Sequence, residues 1–213
     1  MEKYSIIIPT LWKSNRTDKL LKDLEECEYV DEIIVIDNSS IYETDRTIGK
    51  IRMISKGENI YVNPAWNLGI KIAKNECIAL CNDDINFNPN IFGLITKNIL
   101  LEYGIIGQSE FNYKGNNTNE PIIEKWMGSV RDWGWGCLII LRKKDWISIP
   151  DDIKIWYGDD YIFKCNSVIK STLKNFNIET EMSTTSDEKK WDVVKNQDKI
   201  NFINHLSNSN KNK

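Results

Sequence analysis

A chain of 213 residues with 41% hydrophobic and 28% charged side chains is long enough to bury one complete core, and it has the make-up of an ordinary globular domain. Its net charge of −3 offers no basic face for nucleic acid. No apolar run has the length of a signal-peptide core or a membrane span, so a cytoplasmic protein is expected.

The first element is Ser5 to Ile8, a short apolar run stopped by Pro9 and read as a buried strand, with Thr10 and Leu11 at its carboxyl edge. Thr17 caps a helix through about Glu26, in which Leu20, Leu21 and Leu24 share a core-facing side. Glu32 to Ile36 is a second buried strand, ending in the polar knot Asp37-Asn38-Ser39-Ser40. Strand, helix and strand in so short a span predict a βαβ unit with parallel strands and a right-handed crossover. Ile51 to Ser55 is a third strand. Asn63 and Pro64 then read as N-cap and first residue of a helix to Lys74, with Trp66, Ile70 and Ile72-Ala73 buried. Cys77 to Cys81 is a fourth strand, followed at once by Asn82, Asp83 and Asp84. Asn88-Pro89 opens a helix to about Tyr103 that Gly104 closes, and Ile105 to Gly107 is a further short strand. This alternation predicts an α/β domain with a doubly wound, mostly parallel central sheet flanked by helices.

From Gln108 to Arg131 the pattern breaks into a long polar loop, a length that in compact domains usually marks function or mobility. Asp132-Trp133-Gly134-Trp135-Gly136 leads into the strand Cys137 to Leu141. Tryptophan faces and glycine backbone suit a saccharide subsite, and equally a strand entry with core tryptophans. Trp156-Tyr157-Gly158-Asp159-Asp160 opens a helix expected over Tyr161 to Phe176, and Ser186 to Leu206 reads as a charged amphipathic helix. The last seven residues, 207–213, are a low-complexity tail or linker.

The chemistry rests on carboxylates. The five cysteines are odd in number, and Cys77, Cys81 and Cys137 lie in apolar runs, the pattern of reduced buried thiols. The single histidine, His205, gives little basis for Ser-His-Asp or Cys-His catalysis. Asp83 and Asp84 stand together at a strand's carboxyl end, where open α/β sheets bind ligands. Two carboxylates there repel one another unless a cation sits with them, and Mg2+ is commonly held by carboxylates together with substrate phosphates. The pair is therefore a candidate anchor for a metal carrying a diphosphate, with a solvated Asp-Asp turn as the alternative. Asp159 and Asp160 form a second pair at a helix start, where acids also serve as caps and dipole partners.

Four stretches together resemble the GT-A glycosyltransferases, in particular the family 2-like group: SIIIPTL (5–11), EIIVIDNSS (32–40), NPAWNLGIKIAKNECIALCNDDI (63–85) and WYGDDYIFKC (156–165). They follow the family's order across about residues 5–165. The length, tail and Asn/Lys/Ile-rich style are also similar to the N-terminal glycosyltransferase domain of a larger chlorovirus protein, which implies a viral protein of the host cytoplasm with further domains C-terminal to it. The resemblance implies one GT-A (nucleotide-diphospho-sugar transferase, Rossmann-like) domain over 1–206, with a nucleotide half to about 108 and an acceptor half beyond. It implies transfer of a sugar from a UDP-sugar to a hydroxyl of a glycan acceptor, with inversion, helped by Mn2+ or Mg2+. Pro9, Thr10 and Leu11, with Asp37, Asn38 and Ser39, match the pocket for base and ribose, and Asp37 is suited to accept the uracil imide N–H. Asn67 matches the Asn of the family's Asn-x-Gly helix, facing the nucleotide. Asn82-Asp83-Asp84 matches the Asp-x-Asp motif with Asn in its first place, which makes Asp84 the direct metal ligand and Asp83 a ligand, a ribose contact or a supporting neighbour. His205 is a candidate third metal ligand. Trp135-Gly136 falls at the wall around acceptor and donor sugar. Asp159-Asp160 matches a Glu-Asp pair whose second member is the general base, with Asp159 an acceptor contact or the alternative base. Two rivals remain: a sugar nucleotidyltransferase, which needs a glycine-rich basic loop where Pro9-Thr10-Leu11-Trp12-Lys13 stands, and a carbohydrate-binding module without turnover.

Overall fold

The computed structural model describes residues 2–41, 44–115, 119–181 and 189–211. The chain opens with β1 (Tyr4–Thr10), α1 (Thr17–Glu26), β2 (Val30–Asp37), β3 (Arg46–Ile48), β4 (Ile51–Ser55), α2 (Val62–Ile72), β5 (Cys77–Cys81) and β6 (Ile85–Phe87). It continues with α3 (Ile91–Leu94), α4 (Lys97–Tyr103) and β7 (Ile105–Gln108). Then come β8 (Ile122–Lys125), β9 (Leu138–Arg142), α5 (Gly158–Cys165), β10 (Lys170–Lys174), β11 (Ile178–Thr180) and α6 (Asp192–Lys211).

Among the described residues, nine strands form one mixed sheet in the order β3-β4-β2-β1-β5-β9-β7-β10-β8. Its centre, β4-β2-β1-β5, is parallel, as the βαβ reading requires, while β9 runs antiparallel to both β5 and β7. The central strands are apolar along their whole length because both faces are covered. Ile6 and Ile8 of β1 belong to one core with Leu20 and Leu24 of α1 and Phe92 of α3. Ile7, between them, belongs to the opposite core with Trp66 and Ile70 of α2 and Phe163 of α5. A ribbon of β6 and β11 stands apart from the main sheet.

Four local expectations are corrected. Thr17 is the first helical residue rather than the cap, and its Oγ1 donates to Ser14 O and Asp83 O instead. Asn63 lies inside α2, whose N-cap position is Tyr61 at φ 67°, and its Nδ2 donates to the carbonyls of Ile153 and Trp156. The helix expected from Asn88 to Tyr103 is two, because Thr96 adopts extended backbone and its hydroxyl caps a new start at Ile99 N. The helix expected over Tyr161 to Phe176 stops at Cys165, and Lys170–Lys174 is a strand between β7 and β8. Thr172 and Leu173, buried in that strand, gain more from pairing on both edges than from helix propagation. The long loop holds a 3-10 turn (Glu110–Lys114) and the edge strand β8. The start expected for the last helix, Ser186, lies outside the described residues, and the backbone stays helical to Lys211.

Candidate active site

The carboxyl ends of β1, β2 and β5 open into a cavity of about 520 Å3. Pro9, Thr10 and Leu11 line it from β1, Asn38 from β2, and Asn82, Asp83 and Asp84 from β5. Asn59, Tyr61, Val62 and Trp66 close one side around the start of α2. Arg131, Trp133, Gly134, Gly136 and Cys137 bound it opposite, with Asp159 and Asp160 from the first turn of α5. Ile155, Trp156 and Tyr157, and Trp191 ahead of α6, complete the wall.

The two acid pairs are held differently. Asp83 Oδ2 accepts from Thr10 Oγ1 at 2.5 Å, which ties the ends of β1 and β5 together. Burial pushes the Asp83 carboxyl above its ordinary value despite that bond. Burial, and then the neighbouring Asp83, push Asp84 up to about 6. Asp84 Oδ1 is buried and has no hydrogen-bond partner. A divalent cation fits this donor set, because it would satisfy the orphaned oxygen and neutralise the adjacent acids. Among the described residues no third His, Cys, Asp or Glu joins them to form a closed metal site, so remaining ligands would come from the diphosphate or water.

Asp159 and Asp160 share one cation. Arg131 Nε lies 2.9 Å from Asp159 Oδ2 and its Nη2 lies 3.1 Å from Asp160 Oδ2. The other Asp159 oxygen, Oδ1, accepts from the Asp160 backbone N–H at 3.0 Å, so both its oxygens are engaged. Burial raises Asp159 to about 6 with the Arg131 guanidinium pulling the other way. The two acids in turn hold the Arg131 proton more tightly, against the effect of burial. No described residue bonds Asp160 Oδ1. Gly136 is required here: a Cβ at that position would stand 2.4 Å from Asp159 Oδ2. Cys137, also in the wall, keeps its proton: burial pushes its thiol up to about 12, with Asp84 and Asp159 adding to the rise and Arg131 opposing it.

Five residues chosen from the sequence stand elsewhere. Asp37 is fully buried, its Oδ1 accepting from Trp12 Nε1, Ser39 N and Ser39 Oγ, so Asp37 and Ser39 shape the loop after β2 and do not line the cavity. Asn67 turns to the opposite side of α2, donating to Ile149 O and accepting from Trp146 Nε1 and Ile149 N. Trp135 is 0% exposed: Gly134, at φ 70°, reverses the chain so that this indole enters the core, donates to Ser171 O and packs edge-on against Phe163. Its neighbour Trp133 lines the cavity instead. His205 is on α6, 2.9 Å from Asp152 Oδ1 and away from the cavity wall.

Two residues that build the site, one in its wall and one behind it, carry no signal of their own in the sequence. Arg131 lies in the polar loop, and only the need of two acids for a counter-ion points to it. Asp198, buried on α6, accepts from the backbone N–H groups of Lys154, Ile155 and Trp156 at 2.8, 2.8 and 3.0 Å, and so pins the strip that forms the cavity's aromatic side.

Solved structures share this architecture. The chain is similar to the crystal structure of S. aureus TarS 1-349, with a TM-score of 0.59 and 15% identity over 83% of this chain and 59% of that one. It is also similar to the crystal structure of GalNAc-T7 with UDP, GalNAc and Mn2+, with a TM-score of 0.58 and 10% identity over 84% of this chain and 43% of that one. The chain thus spans about three fifths of the first structure and less than half of the second. No curated protein sequence matches it significantly. No helix among the described residues is long and apolar enough to cross a membrane. The profile of glycosyl transferase family 2 matches residues 5–156, and the chain belongs to that family: it is a glycosyltransferase domain of the GT-A fold.

Proposed function

We propose that this domain moves a sugar from a UDP-sugar to a hydroxyl of a glycan acceptor, with inversion, and that Asp84 and Asp83 hold Mn2+ or Mg2+ in the process. The observation that carries the reading is the division of one cavity into two carboxylate sites, an uncompensated pair at the end of β5 and a compensated pair on α5. A leaving diphosphate and an attacking hydroxyl need opposite services. The first needs positive charge and the second a proton acceptor.

In this reading Pro9, Thr10, Leu11 and Asn38 border the nucleotide at the strand edges, with Asn82 beside the phosphates. A divalent cation bound at Asp83 and Asp84 supplies the charge that a departing diphosphate requires. Asp160 is the general base, because its Oδ1 is unengaged while Asp159 is tied by Arg131 and by the Asp160 N–H. The acceptor oxygen forms a bond to the anomeric carbon as the bond from that carbon to the phosphate oxygen breaks. The bonding pair leaves with the diphosphate and the acceptor proton passes to Asp160. Asp159 and Arg131 position this base, and Gly136 leaves room for the pair. The GalNAc-T7 structure with UDP and Mn2+ supports the same donor class and metal for this fold.

The test is a calorimetric titration with UDP, with and without Mn2+, on the parent and on Asp84→Ala. Metal-dependent UDP binding in the parent that is lost in the variant is expected. Equal affinity in both proteins with metal present removes Asp84 from the site, and absence of any UDP binding removes the donor assignment.

A further inference from the structure

Among the described residues, Trp133 is the one cavity-lining side chain that is a large exposed hydrophobic, at 56% exposure. An indole left that open costs solvation free energy, and its placement is not slack. Tyr113 braces it, with ring centroids 5.5 Å apart at 80°. The Tyr113 hydroxyl donates to Gly134 O at 2.7 Å, and the backbone N–H of Trp133 donates to Asp132 Oδ1 at 3.0 Å. Asp132 is fixed in turn by Glu110 N. The ring is thus pre-set at the mouth, in the same short segment as Arg131, whose guanidinium rests on Asp159 and Asp160.

We infer that Trp133 is the stacking platform of an acceptor subsite for a neutral pyranose, an inference that rests on the transfer reading above. Such a sugar is amphipathic, with a flat face of C–H bonds and a rim of hydroxyls. A rigid half-open indole matches the face, and carboxylates with a guanidinium match the rim. A ring seated on Trp133 turns its hydroxyls toward the α5 acids, where Asp160 Oδ1 has no other partner. The charge of the cavity sets the class. Four carboxylates line it against one basic side chain among the described residues, and both acids of α5 already share that cation. An anionic acceptor meets repulsion there, and a neutral one does not. Trp135, the other indole of this stretch, is sealed in the core and available to no ligand.

The test uses methyl pyranosides of glucose, galactose, mannose, xylose and rhamnose, with methyl glucuronide as the anionic counterpart. Binding is read by saturation-transfer NMR in EDTA without nucleotide. At least one neutral pyranoside is expected to bind, with its ring C–H protons receiving the transfer, and the glucuronide is expected to bind more weakly than the glucoside. Trp133→Ala is expected to weaken binding about tenfold, the size of one aromatic contact, while Trp133→Phe stays near the parent. Since the side chain is more than half exposed, both variants should keep the parental melting temperature within a few degrees, about what surface changes cost. Pyranoside binding equal in Trp133→Ala and parent overturns the inference, as does failure of every pyranoside to bind a protein that binds UDP with Mn2+. Pyranoside binding that needs Trp133 in a protein that never binds UDP preserves the subsite and sinks the donor assignment instead.

Discussion

Replacing Asp84 with Asn should stabilise the metal-free protein while removing its response to metal and nucleotide. The carboxyl goes from an ordinary value of 3.8 to about 6 on folding, through burial first and Asp83 second. At about 1.4 kcal/mol per pH unit, ionised Asp84 costs the fold on the order of 3 kcal/mol at pH 7. The sign follows from linkage. A folded value above the unfolded one penalises the ionised fold, with no penalty below about pH 4 and the full penalty above about pH 6. The amide recovers part of this, because its oxygen inherits the unpartnered position of Oδ1 at a cost of about 1–2 kcal/mol. A net gain of about 1–2 kcal/mol corresponds to a rise in melting temperature of roughly 3–6 °C for a domain of this size. Scanning calorimetry in EDTA at pH 7 measures it, and the gain should fade at pH 4. Adding Mn2+ with UDP at about 100 times Kd should stabilise the parent by about 2.7 kcal/mol and the variant by little. A variant that melts no higher than the parent in EDTA, yet keeps the full response to Mn2+ and UDP, refutes both the repulsion and the role.

Arg131→Met leaves Asp159 and Asp160 without their cation, at a cost of about 3 kcal/mol at pH 7.5. The loss should shrink toward pH 5, since Asp159 already protonates near 6 and more readily without Arg131; melts with equal losses at both pH values would argue against the shared-cation account. Asp160→Asn should retain UDP binding and lower transfer by about 100- to 10,000-fold in a single-turnover assay, and an unchanged rate would discharge Asp160 as base. Asp198→Ala releases three backbone N–H groups and should cost about 2–4 kcal/mol, with faster hydrogen exchange at Lys154, Ile155 and Trp156 as its local signature.

What could be read from the chain alone follows the range of the forces involved. The strands at Ser5, Glu32, Ile51 and Cys77 and the helix at Thr17 are visible because burial on both faces, or on one helical stripe, writes itself into consecutive residues. The acids at 83–84 and 159–160 are visible because like charges so close demand a reason. The segment 170–174 is different. Its strand exists only because β7 and β8, distant in sequence, offer it two edges.

Orientation within the site belongs to the same class. Whether Trp133 or Trp135 faces the cavity turns on the positive φ of Gly134, and residue types cannot express that choice. Asn67 and His205 look like site residues in a linear reading, yet Ile149 and Asp152 claim them in space. Arg131 is unremarkable in its loop and becomes the counter-ion of two acids only when α5 is packed beneath it. Composition and periodicity thus determine the layered α/β body and its acidic edge, because those effects are local. Tertiary packing alone decides which side chains meet across that edge, because a contact between residues 131 and 160 has no trace in either one's neighbours.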